Sequence, residues 1–423
     1  MNRLGFAAGA VGNHEFDEGP DELVRLVDGG SHPTTIWRTG SFPGLNFPCL
    51  AANVVSERTG HPILPAARVL SVSGVRVGVV GVVSSDAARQ LGANASGLRF
   101  VDEAAAVNRG VAELRAHRVA AIIVLAHVGG VATANGLVMG GELPDFAAAL
   151  DPDVDVIVAG HTHRPAVSNQ SGILTIQAHP HGLSYGSVDL WIDRRLNRVV
   201  ERAADIRPTW HDAVEPDRAT TALLESYERH ATSLANAVIG ERSERATREP
   251  QAANGEYRDS LGRLVGDGYR AATGADIAIV HPLELNADLP AGVVTRGDLY
   301  PALPGGYDLI TARLRGSAVA RLFDHGVESG SASRLICSGA TVELNPERLP
   351  GRRVGAIRLA DGAKLDPTAT YTVAMAAPTL GTISGGDVIR VGKTLAAFES
   401  YVREQSREAS AYVQTSADAL AAS

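Results

Sequence analysis

The sequence has little cysteine, no excess of positive charge and no apolar run of membrane-spanning length. Its two cysteines, Cys49 and Cys337, lie in opposite halves and are too few for a disulfide framework, so we expect two buried thiols. The formal net charge of -8 provides no basic surface, which argues against a protein that binds nucleic acid. The absence of about 20 consecutive apolar residues argues against a helical membrane span.

What the sequence does contain is enough apolar material for two cores. Hydrophobic residues make up 45% and charged residues 20% of the 423 residues, which is typical of a globular chain too long for one core. Prolines and mixed charges interrupt the periodic pattern after residue 202. We therefore predict a first domain at 1–205, a linker and connecting helix at 206–236, a second domain at 237–400 and a polar tail at 401–423.

Strand and helix patterns alternate along both predicted domains. A valine-rich segment at 69–83 predicts a β-hairpin, and apolar residues at helical spacing predict helices at 104–117, 221–235 and 259–272. An apolar strand at 276–280 follows the last of these helices. This alternation is typical of an α/β protein.

A turn near the start of the chain carries the first candidate site. The segment GNHEFD at 12–17 presents an amide, an imidazole and a carboxylate within five residues, directly after an apolar stretch. The side-chain oxygen of Asn13 is a hard neutral metal ligand, and His14 exchanges a proton near neutral pH. Asp17 is close enough to fix the tautomer of that imidazole. For this motif alone, a structural turn that caps a strand remains the alternative.

Two further histidine clusters follow apolar strands. The run at 120–126 ends in His127, and the run at 155–159 ends in GHTH, which contains His161 and His163. In an open α/β sheet, ligands gather at the carboxyl ends of the strands, so we expect these clusters to meet the GNHEFD turn in one crevice. Three such clusters make a chance arrangement of structural histidines the weaker interpretation.

The first half of the chain resembles the metallophosphatase domain of the 5′-nucleotidase family, a two-domain group of calcineurin-like phosphoesterases. The resemblance rests on three motifs in this order: GNHEFD, a strand ending in His-x-Gly, and GHTH. The second half of the chain resembles the nucleotide-recognition domain of that family. The resemblance implies an α/β fold: a metallophosphatase β-sandwich flanked by helices and lacking its first strands, plus a second α/β domain of the 5′-nucleotidase C-terminal type. It also implies that a metal-activated hydroxide releases phosphate from a phosphomonoester.

The same resemblance implies a metal centre in the first domain. Family members hold two divalent ions, such as Zn²⁺ or Mn²⁺. By resemblance, one ion is bound by Asn13, His127 and His161, and His163 is the surviving ligand of the other.

The resemblance also implies a catalytic dyad, in which His14 faces the phosphoryl oxygen and Asp17 orients it. His179 and His181 could approach the metals as well, although an ordinary loop position is the favoured interpretation for both.

The chain departs from the family at its start. Relatives carry, before the GNHEFD turn, a strand ending in Asp-x-His and another ending in Gly-Asp, which supply most ligands of one ion and the carboxylate that bridges both. This sequence begins after those strands, so we expect an N-terminally truncated product with one incomplete metal site. Sites that activate water normally combine imidazoles with a carboxylate, so we expect weak or absent activity. Family members are often exported, but the first residues run straight into the motif, which argues against a cleavable signal.

The second half departs from the family too. Where relatives have Asn-x-Gly-Gly-x-Arg, this chain has HPLELN at 281–286, so Asn286 replaces a phosphate-binding arginine. Gly381 stands where one of two base-clamping aromatic residues is expected, and Tyr307 could partly substitute for the other. Asp387 could accept a hydrogen bond from a substrate hydroxyl or serve only as a turn residue. Stacking contributes about 1 to 3 kcal/mol per base, so we expect base recognition to be largely lost.

Two functional interpretations follow. The first is a two-domain metallophosphoesterase that acts on a small phosphorylated substrate, either a nucleotide or another phosphomonoester. The second is a catalytically impaired relative that keeps the fold as a binding or structural module. Neither interpretation needs nucleic acid or a membrane span, and the sequence leaves the oligomeric state, the native metal and the compartment open.

Overall fold

The computed structural model describes residues 1–32, 41–87, 91, 95–132, 138–210, 212, 214–248, 260–304, 306–328, 335–345, 347–349, 351–380 and 387–421. The chain divides into two compact units, Met1–Ala222 and Leu223–Ser423. The division falls within the helix Arg218–Ala235, which corresponds to the connecting helix predicted at 221–235. Each unit contains both helices and sheets, so the predicted α/β class with two domains is confirmed.

Strands and helices are numbered in chain order. The first unit contains the strands β1 (Gly9–Ala10), β2 (Gly30–Ser31), β3 (Ser41–Phe42), β4 (Cys49–Leu50), β5 (Val54–Ser56), β6 (Ala67–Val72), β7 (Val75–Val83), β8 (Leu98–Phe100), β9 (Ala121–His127), β10 (Gly130–Ala132), β11 (Val138–Gly141), β12 (Val156–Ala159), β13 (Ala166–Gln170), β14 (Ile173–Gln177), β15 (Ser184–Asp193) and β16 (Arg198–Pro208). Its helices are α1 (Pro20–Asp28), α2 (Glu103–Ala116) and α3 (Glu142–Ala148), and 3-10 helices span Asn2–Leu4 and Asn13–Phe16. Helix α4 (Arg218–Ala235) contains the division between the units.

Among the described residues, the largest sheet of the first unit has six strands in the order β13, β14, β12, β9, β7 and β6. Strands β7, β9 and β12 are parallel neighbours, and their valine- and isoleucine-rich sequences suit strands that are covered on both faces. In the register of the sheet, Val83 pairs with His127 and Ala126 pairs with Ala159. The three strands therefore end at the same edge, and the residues that follow them are neighbours.

Helix α2 packs against one face of this sheet. Its N-cap residue, Asp102, accepts a hydrogen bond of 2.7 Å from the backbone N–H of Ala105, which satisfies one of the free donors at the start of the helix. Val107, Val111 and Leu114 lie on one side of α2 and are buried against the sheet. This spacing is the helical pattern that predicted a helix at 104–117.

A smaller pair of strands places the GNHEFD turn. Strand β1 pairs in parallel with β4, and the N–H of Val11 extends this pairing by donating to the carbonyl of Leu50 at 3.2 Å. Immediately afterwards, the 3-10 helix buries Phe16, whose ring packs edge-on against Phe100 with a centroid distance of 5.4 Å. Burial of a phenylalanine contributes about 1.5 to 3 kcal/mol, so Phe16 anchors the turn to the core.

The second unit contains the strands β17 (Val238–Arg242), β18 (Ile277–Val280), β19 (Gly292–Thr295), β20 (Asp308–Arg315), β21 (Ile336–Ser338), β22 (Ala340–Leu344), β23 (Val354–Leu359), β24 (Thr370–Ala376) and β25 (Val388–Lys393). Its helices are α5 (Ser260–Thr273), α6 (Arg296–Ala302), α7 (Gly316–Glu328), α8 (Ala377–Leu380) and α9 (Thr394–Ala421), with a 3-10 helix at Pro282–Glu284. In its described part, a five-stranded sheet has the order β21, β18, β24, β20 and β25.

Helix α5 and strand β18 confirm the predictions of a helix at 259–272 and a strand at 276–280. The segment predicted as a polar tail, 401–423, continues helix α9 as far as Ala421. No helix in the described ranges combines the length and the apolar character that a bilayer crossing demands.

Candidate functional site

The GNHEFD turn is shaped by its own side chains. The backbone N–H of Gly12 donates a hydrogen bond of 2.6 Å to the carboxylate of Glu15, which closes the 3-10 helix on itself. A Cβ atom at position 12 would lie 2.8 Å from the ring of His127, closer than real Cβ contacts allow. A side chain at position 12 would therefore force the turn or the ring of His127 to move.

Three of the predicted ligands converge at the carboxyl edge of the sheet. The side-chain oxygen of the buried Asn13 lies 2.9 Å from Nε2 of His127, and the rings of His127 and His161 lie 5.0 Å apart, edge to face. His161 has φ of +80°, a left-handed conformation in which histidine is more common than most residues. This conformation lets the chain turn sharply after β12 and brings His161 beside His127.

Burial keeps these two imidazoles neutral. The pKa of His127 is lowered to about 4, chiefly by desolvation, and charge repulsion from the nearby His161, His14 and His163 contributes to this lowering. The pKa of His161 is lowered for the same reasons, chiefly by burial. A neutral imidazole has a free lone pair, which is the form that binds a metal ion.

His14 and Asp17 form a second pair beside this cluster. Nδ1 of His14 lies 2.9 Å from a carboxylate oxygen of Asp17, and both side chains are about half exposed. The hydrogen bond to Asp17 is the main cause that raises the pKa of His14, and charge attraction by Asp17 and Glu15 adds to it. Because Asp17 engages Nδ1, Nε2 of His14 is the nitrogen that can reach a ligand.

The other histidines that the sequence singles out are His163, His179 and His181, and His163 lies near the cluster. The rings of His163 and His181 lie 5.6 Å apart, and both residues have φ of +58°. Burial, followed by the charges of His181 and His14, lowers the pKa of His163. His179 is held by the hydroxyl of Ser184, which lies 3.0 Å from its Nδ1. The structure thus pairs His163 with the loop histidine His181.

Sequence reasoning missed an acidic group at the same edge. Ser84 follows β7 directly, and its N–H donates to the carbonyl of His127 at 3.0 Å. The carboxyl group of Glu142, at the start of α3, is hydrogen-bonded to Ser84 and Asp86, and burial raises its pKa. The negative charge of Asp86 raises the pKa of His161 and so partly offsets the effect of burial. The sequence contains a signal for this group, because Ser84 directly follows β7, the strand beside β9, and so stands at a strand end as His127 does.

The predicted substrate residues of the second unit are held by backbone contacts. Asn286 is exposed, and its N–H donates to the carbonyl of Ala302 at 3.1 Å. Tyr307 is half-buried, with its carbonyl accepting from Thr394. The exposed Asp387 accepts from the N–H of Arg313 through its carbonyl at 3.3 Å. Gly381 lies outside the described residues, so the predicted loss of the aromatic clamp stays a prediction.

The chemistry of the first site suits one ion better than two. An amide oxygen and two neutral imidazoles are acceptable ligands for an ion such as Zn²⁺ or Mn²⁺. Within the described ranges, however, no three or more histidine, cysteine, aspartate or glutamate side chains are grouped as a metal site. Asn13, His127 and His161 are neutral donors, and a set of this kind fits one divalent ion.

The fold and the site together define a two-unit α/β protein with a histidine-rich crevice at the carboxyl edge of its first sheet. Comparison with known proteins agrees with this class. Residues 236–391 match the family model of the 5′-nucleotidase C-terminal domain. The 5′-nucleotidase precursor from Thermus thermophilus has a similar structure, with a TM-score of 0.76 and 25% identity over 96% of this chain and 82% of that one.

Curated relatives extend the similarity across the first unit. Endonuclease YhcR of Bacillus subtilis is 36% identical over 375 residues, which cover 88% of this chain and 30% of that protein. The trifunctional nucleotide phosphoesterase protein YfkN of the same species is 25% identical over 88% of this chain and 27% of its own length. The chain thus spans less than a third of either relative. It belongs to the 5′-nucleotidase family, as its motifs predict.

Proposed function

We propose that the chain is the hydrolytic part of a 5′-nucleotidase-type phosphoesterase, which releases phosphate from a nucleotide or another phosphomonoester. The observation that carries the proposal is the meeting of Asn13, His127 and His161 beside the His14–Asp17 pair. The names of the relatives, a 5′-nucleotidase and a nucleotide phosphoesterase, support phosphate esters as the substrate class.

Asn13, His127 and His161 would hold the divalent ion in this proposal. A bound ion of this kind supplies Lewis acidity and compensates the negative charge of the phosphoryl group. The protein contributes orientation: the 3-10 helix fixes Asn13, and the left-handed backbone of His161 turns its ring toward His127. Because these ligands are neutral, the net charge of an occupied site stays positive, which favours a phosphate anion.

His14 would act on the phosphoryl group. Asp17 accepts the hydrogen bond of Nδ1 and raises the pKa of His14, so the protonated ring has a second N–H, at Nε2, which can donate a hydrogen bond to a phosphoryl oxygen. Donors of this type stabilise the charge that develops in the transition state more than the charge of the bound substrate. Loss of one such donor typically lowers turnover by about 10²- to 10³-fold.

A binding module is the second candidate function. The specific observation in its favour is that, in the described part of the chain, no three or more histidine, cysteine, aspartate or glutamate side chains are grouped as a metal site. A site that lacks such a group could bind a phosphate ester without hydrolysing it. The two candidates differ in turnover rather than in ligand binding.

The proposal is tested by separating ion binding from turnover. Calorimetry with Mn²⁺ or Zn²⁺ should show one weak site in the purified chain and none in His127→Ala. Phosphate release from 5′-AMP and from 4-nitrophenyl phosphate should be slow in the wild type and lower in His14→Ala, which should keep its ion binding. His61→Ala, at an exposed histidine outside the cluster, is the matched control and should change neither quantity.

Two outcomes would decide against hydrolysis. If the chain binds Mn²⁺ or Zn²⁺ but His14→Ala releases phosphate as fast as the wild type, the residual activity does not come from this site. If the wild type binds the phosphate ester and releases no phosphate at any ion concentration, the binding module is the correct description.

A further inference from the structure

The second unit contains a buried carboxyl group that the proposed function does not use. Glu284 ends the 3-10 helix Pro282–Glu284, which follows the fully buried strand β18, and only 5% of the residue is exposed. Acidic side chains are almost never buried to this degree unless a charge or a set of donors compensates them. The partners of Glu284 therefore determine whether it can be ionised.

Three donors from different elements meet on this carboxyl group. The hydroxyl of Tyr269, on helix α5, lies 2.9 Å from one oxygen. The N–H of His281 donates to the other oxygen at 2.8 Å, and the hydroxyl of Thr379, on helix α8, donates to the same oxygen at 3.1 Å. Glu284 thus ties α5, the segment after β18 and α8 to one another.

None of these partners is a cation. Tyr269 is fully buried, and burial together with the neighbouring Glu284 raises its pKa well above the usual value, so it stays neutral. Burial lowers the pKa of the His281 imidazole, which keeps that group neutral as well. Among the described residues, the groups that act on the pKa of Glu284 are the hydrogen bonds from His281, Tyr269 and Thr379. Desolvation outweighs them and raises its pKa from 4.5 to about 7.

A second arrangement of hydrogen bonds is available to the protonated form. A neutral carboxyl group must donate its own proton, so a hydroxyl that faces it has to rotate and accept. Tyr269 can do this because the buried hydroxyl of Thr394 lies beside it and can accept a hydrogen bond from the tyrosine O–H. Tyr307 also faces Tyr269 and contributes no positive charge. Protonation of Glu284 therefore keeps its contact with Tyr269 but reverses the direction of the hydrogen bond, and the tyrosine O–H then donates to Thr394.

We propose that Glu284 is a pH-responsive latch, which holds the segment 281–286 and helix α8 against helix α5 at mildly acid pH and loosens them above neutral pH. The neutral carboxyl group is buried without penalty and satisfies its hydroxyl neighbours. The ionised group is buried away from water and has only neutral hydrogen-bond donors. Solvation of its charge therefore favours exposure of the carboxylate, which weakens the contacts of the segment 281–286 with helix α5. The latch belongs to the second unit and does not depend on phosphoester hydrolysis.

Amide hydrogen exchange on the full chain tests the latch directly. The reporting amides are those of Glu284 and Leu285, which donate to His281 and Pro282 within the segment. After correction for intrinsic rates, their protection should fall by roughly tenfold or more between about pH 6 and about pH 8.5 in the wild type. Glu284→Gln, which mimics the neutral carboxyl group, should show the same protection at both pH values.

Glu347→Gln, at an exposed position of the same unit, is the matched control and should retain the pH-dependent loss. If Glu284→Gln does not fold, Tyr269→Phe provides the second test: it removes one donor from the ionised form and should move the loss of protection to higher pH. The proposal is overturned if wild-type protection does not change with pH, if Glu284→Gln shows the same fall, or if Tyr269→Phe leaves the midpoint unchanged.

Discussion

Oδ1 of Asn13 and Nε2 of His127 lie 2.9 Å apart although 114 positions separate the two residues in the sequence. This is the distance of a hydrogen bond between the two side chains. Two ligands at about 2.0 to 2.1 Å from one tetrahedral Zn²⁺ are about 3.3 Å apart, so a small separation of the pair would give room for an ion. The GNHEFD turn and strand β9 hold the pair in place through the close approach of Gly12 to the imidazole ring.

Replacing the neutral oxygen of this pair with a charged one should strengthen ion binding. Asn13→Asp keeps the shape of the side chain and adds the carboxylate that the described site lacks, so we expect affinity for Mn²⁺ to rise by about tenfold or more in calorimetry. Asn46→Asp, at an exposed asparagine, adds the same charge elsewhere and should leave the affinity unchanged. Equal affinity in Asn13→Asp and the wild type would show that Asn13 does not face the ion.

The contact of Gly12 with His127 predicts a steric effect. Gly12→Ala places a Cβ atom 2.8 Å from the ring, so the turn or the ring must move. We expect a loss of about 1 to 3 kcal/mol in the free energy of unfolding, together with weaker ion binding. At Gly392, a Cβ atom meets nothing within 4 Å, and Gly392→Ala should be close to neutral in both measurements. A Gly12→Ala protein with wild-type stability and ion affinity would contradict the geometry of the turn.

An ion pair of the first unit that contains a buried carboxylate predicts a difference between two arginines of strand β16. Arg202 lies 2.9 Å from the buried Asp155, whose other oxygen accepts the N–H of Ile122 at 3.0 Å. Removing the guanidinium leaves that carboxylate without its cation, so we expect Arg202→Met to destabilise the first unit by about 1 to 3 kcal/mol. Chemical denaturation followed by tryptophan fluorescence measures this, because all three tryptophans lie in the first unit.

Arg207 provides the matched control on the same strand. Its pair with Asp205, at 3.4 Å, has both side chains more than half exposed, so water screens it. Arg207→Met should therefore cause little change in the same denaturation curve. Similar losses in the two variants would mean that burial of Asp155 is not the origin of the effect.

The raised pKa of Glu284 predicts how stability depends on pH. The folded second unit binds this proton more tightly than the unfolded chain does, since the pKa rises from 4.5 to about 7 on folding. The contribution of Glu284 to the free energy of unfolding is therefore fully present below about pH 4.5. It falls as the pH rises toward 7, by about 3 kcal/mol in total, and stays constant at higher pH. Glu284→Gln should remove this slope.

Two optical signals separate the units in this measurement. Circular dichroism follows both units, whereas tryptophan fluorescence follows the first alone, so the slope should appear only in the dichroism curve. If Glu284→Gln and the wild type lose stability equally between about pH 5 and about pH 8, the carboxyl group does not titrate in that range.

The sequence predicted the elements that depend on local pattern. The hairpin at 69–83 corresponds to β6 and β7, and the helix at 104–117 corresponds to α2, because apolar residues at strand or helix spacing create one face that must be buried. It also predicted that the strand-end histidines would gather at one edge, and the parallel register of β7, β9 and β12 brings them there. Their roles in metal binding and catalysis stay predictions.

Other features follow from packing between residues that are distant in the chain. The position of Asp86 near His161, the contact of Glu142 with Ser84 and Asp86, and the pairing of His163 with His181 depend on how loops fold back over the sheet edge. No periodic pattern in the sequence encodes such contacts. The same holds for Glu284: an isolated acidic residue is typical of a surface position, and only the meeting of α5, α8 and the segment after β18 reveals that it is buried.

The sequence by itself determined the family, the α/β class and the residues available for chemistry, because side-chain spacing fixes which face of each element is apolar and which residues stand at strand ends. The tertiary structure alone decided the distances and the charge states. A pKa depends on the water and the charges around a group, and these are set only when separate segments pack together. His127 and His14 lie close together at one edge, yet the pKa of the buried His127 is lowered and that of the half-exposed His14 is raised. This difference in pKa results from that packing.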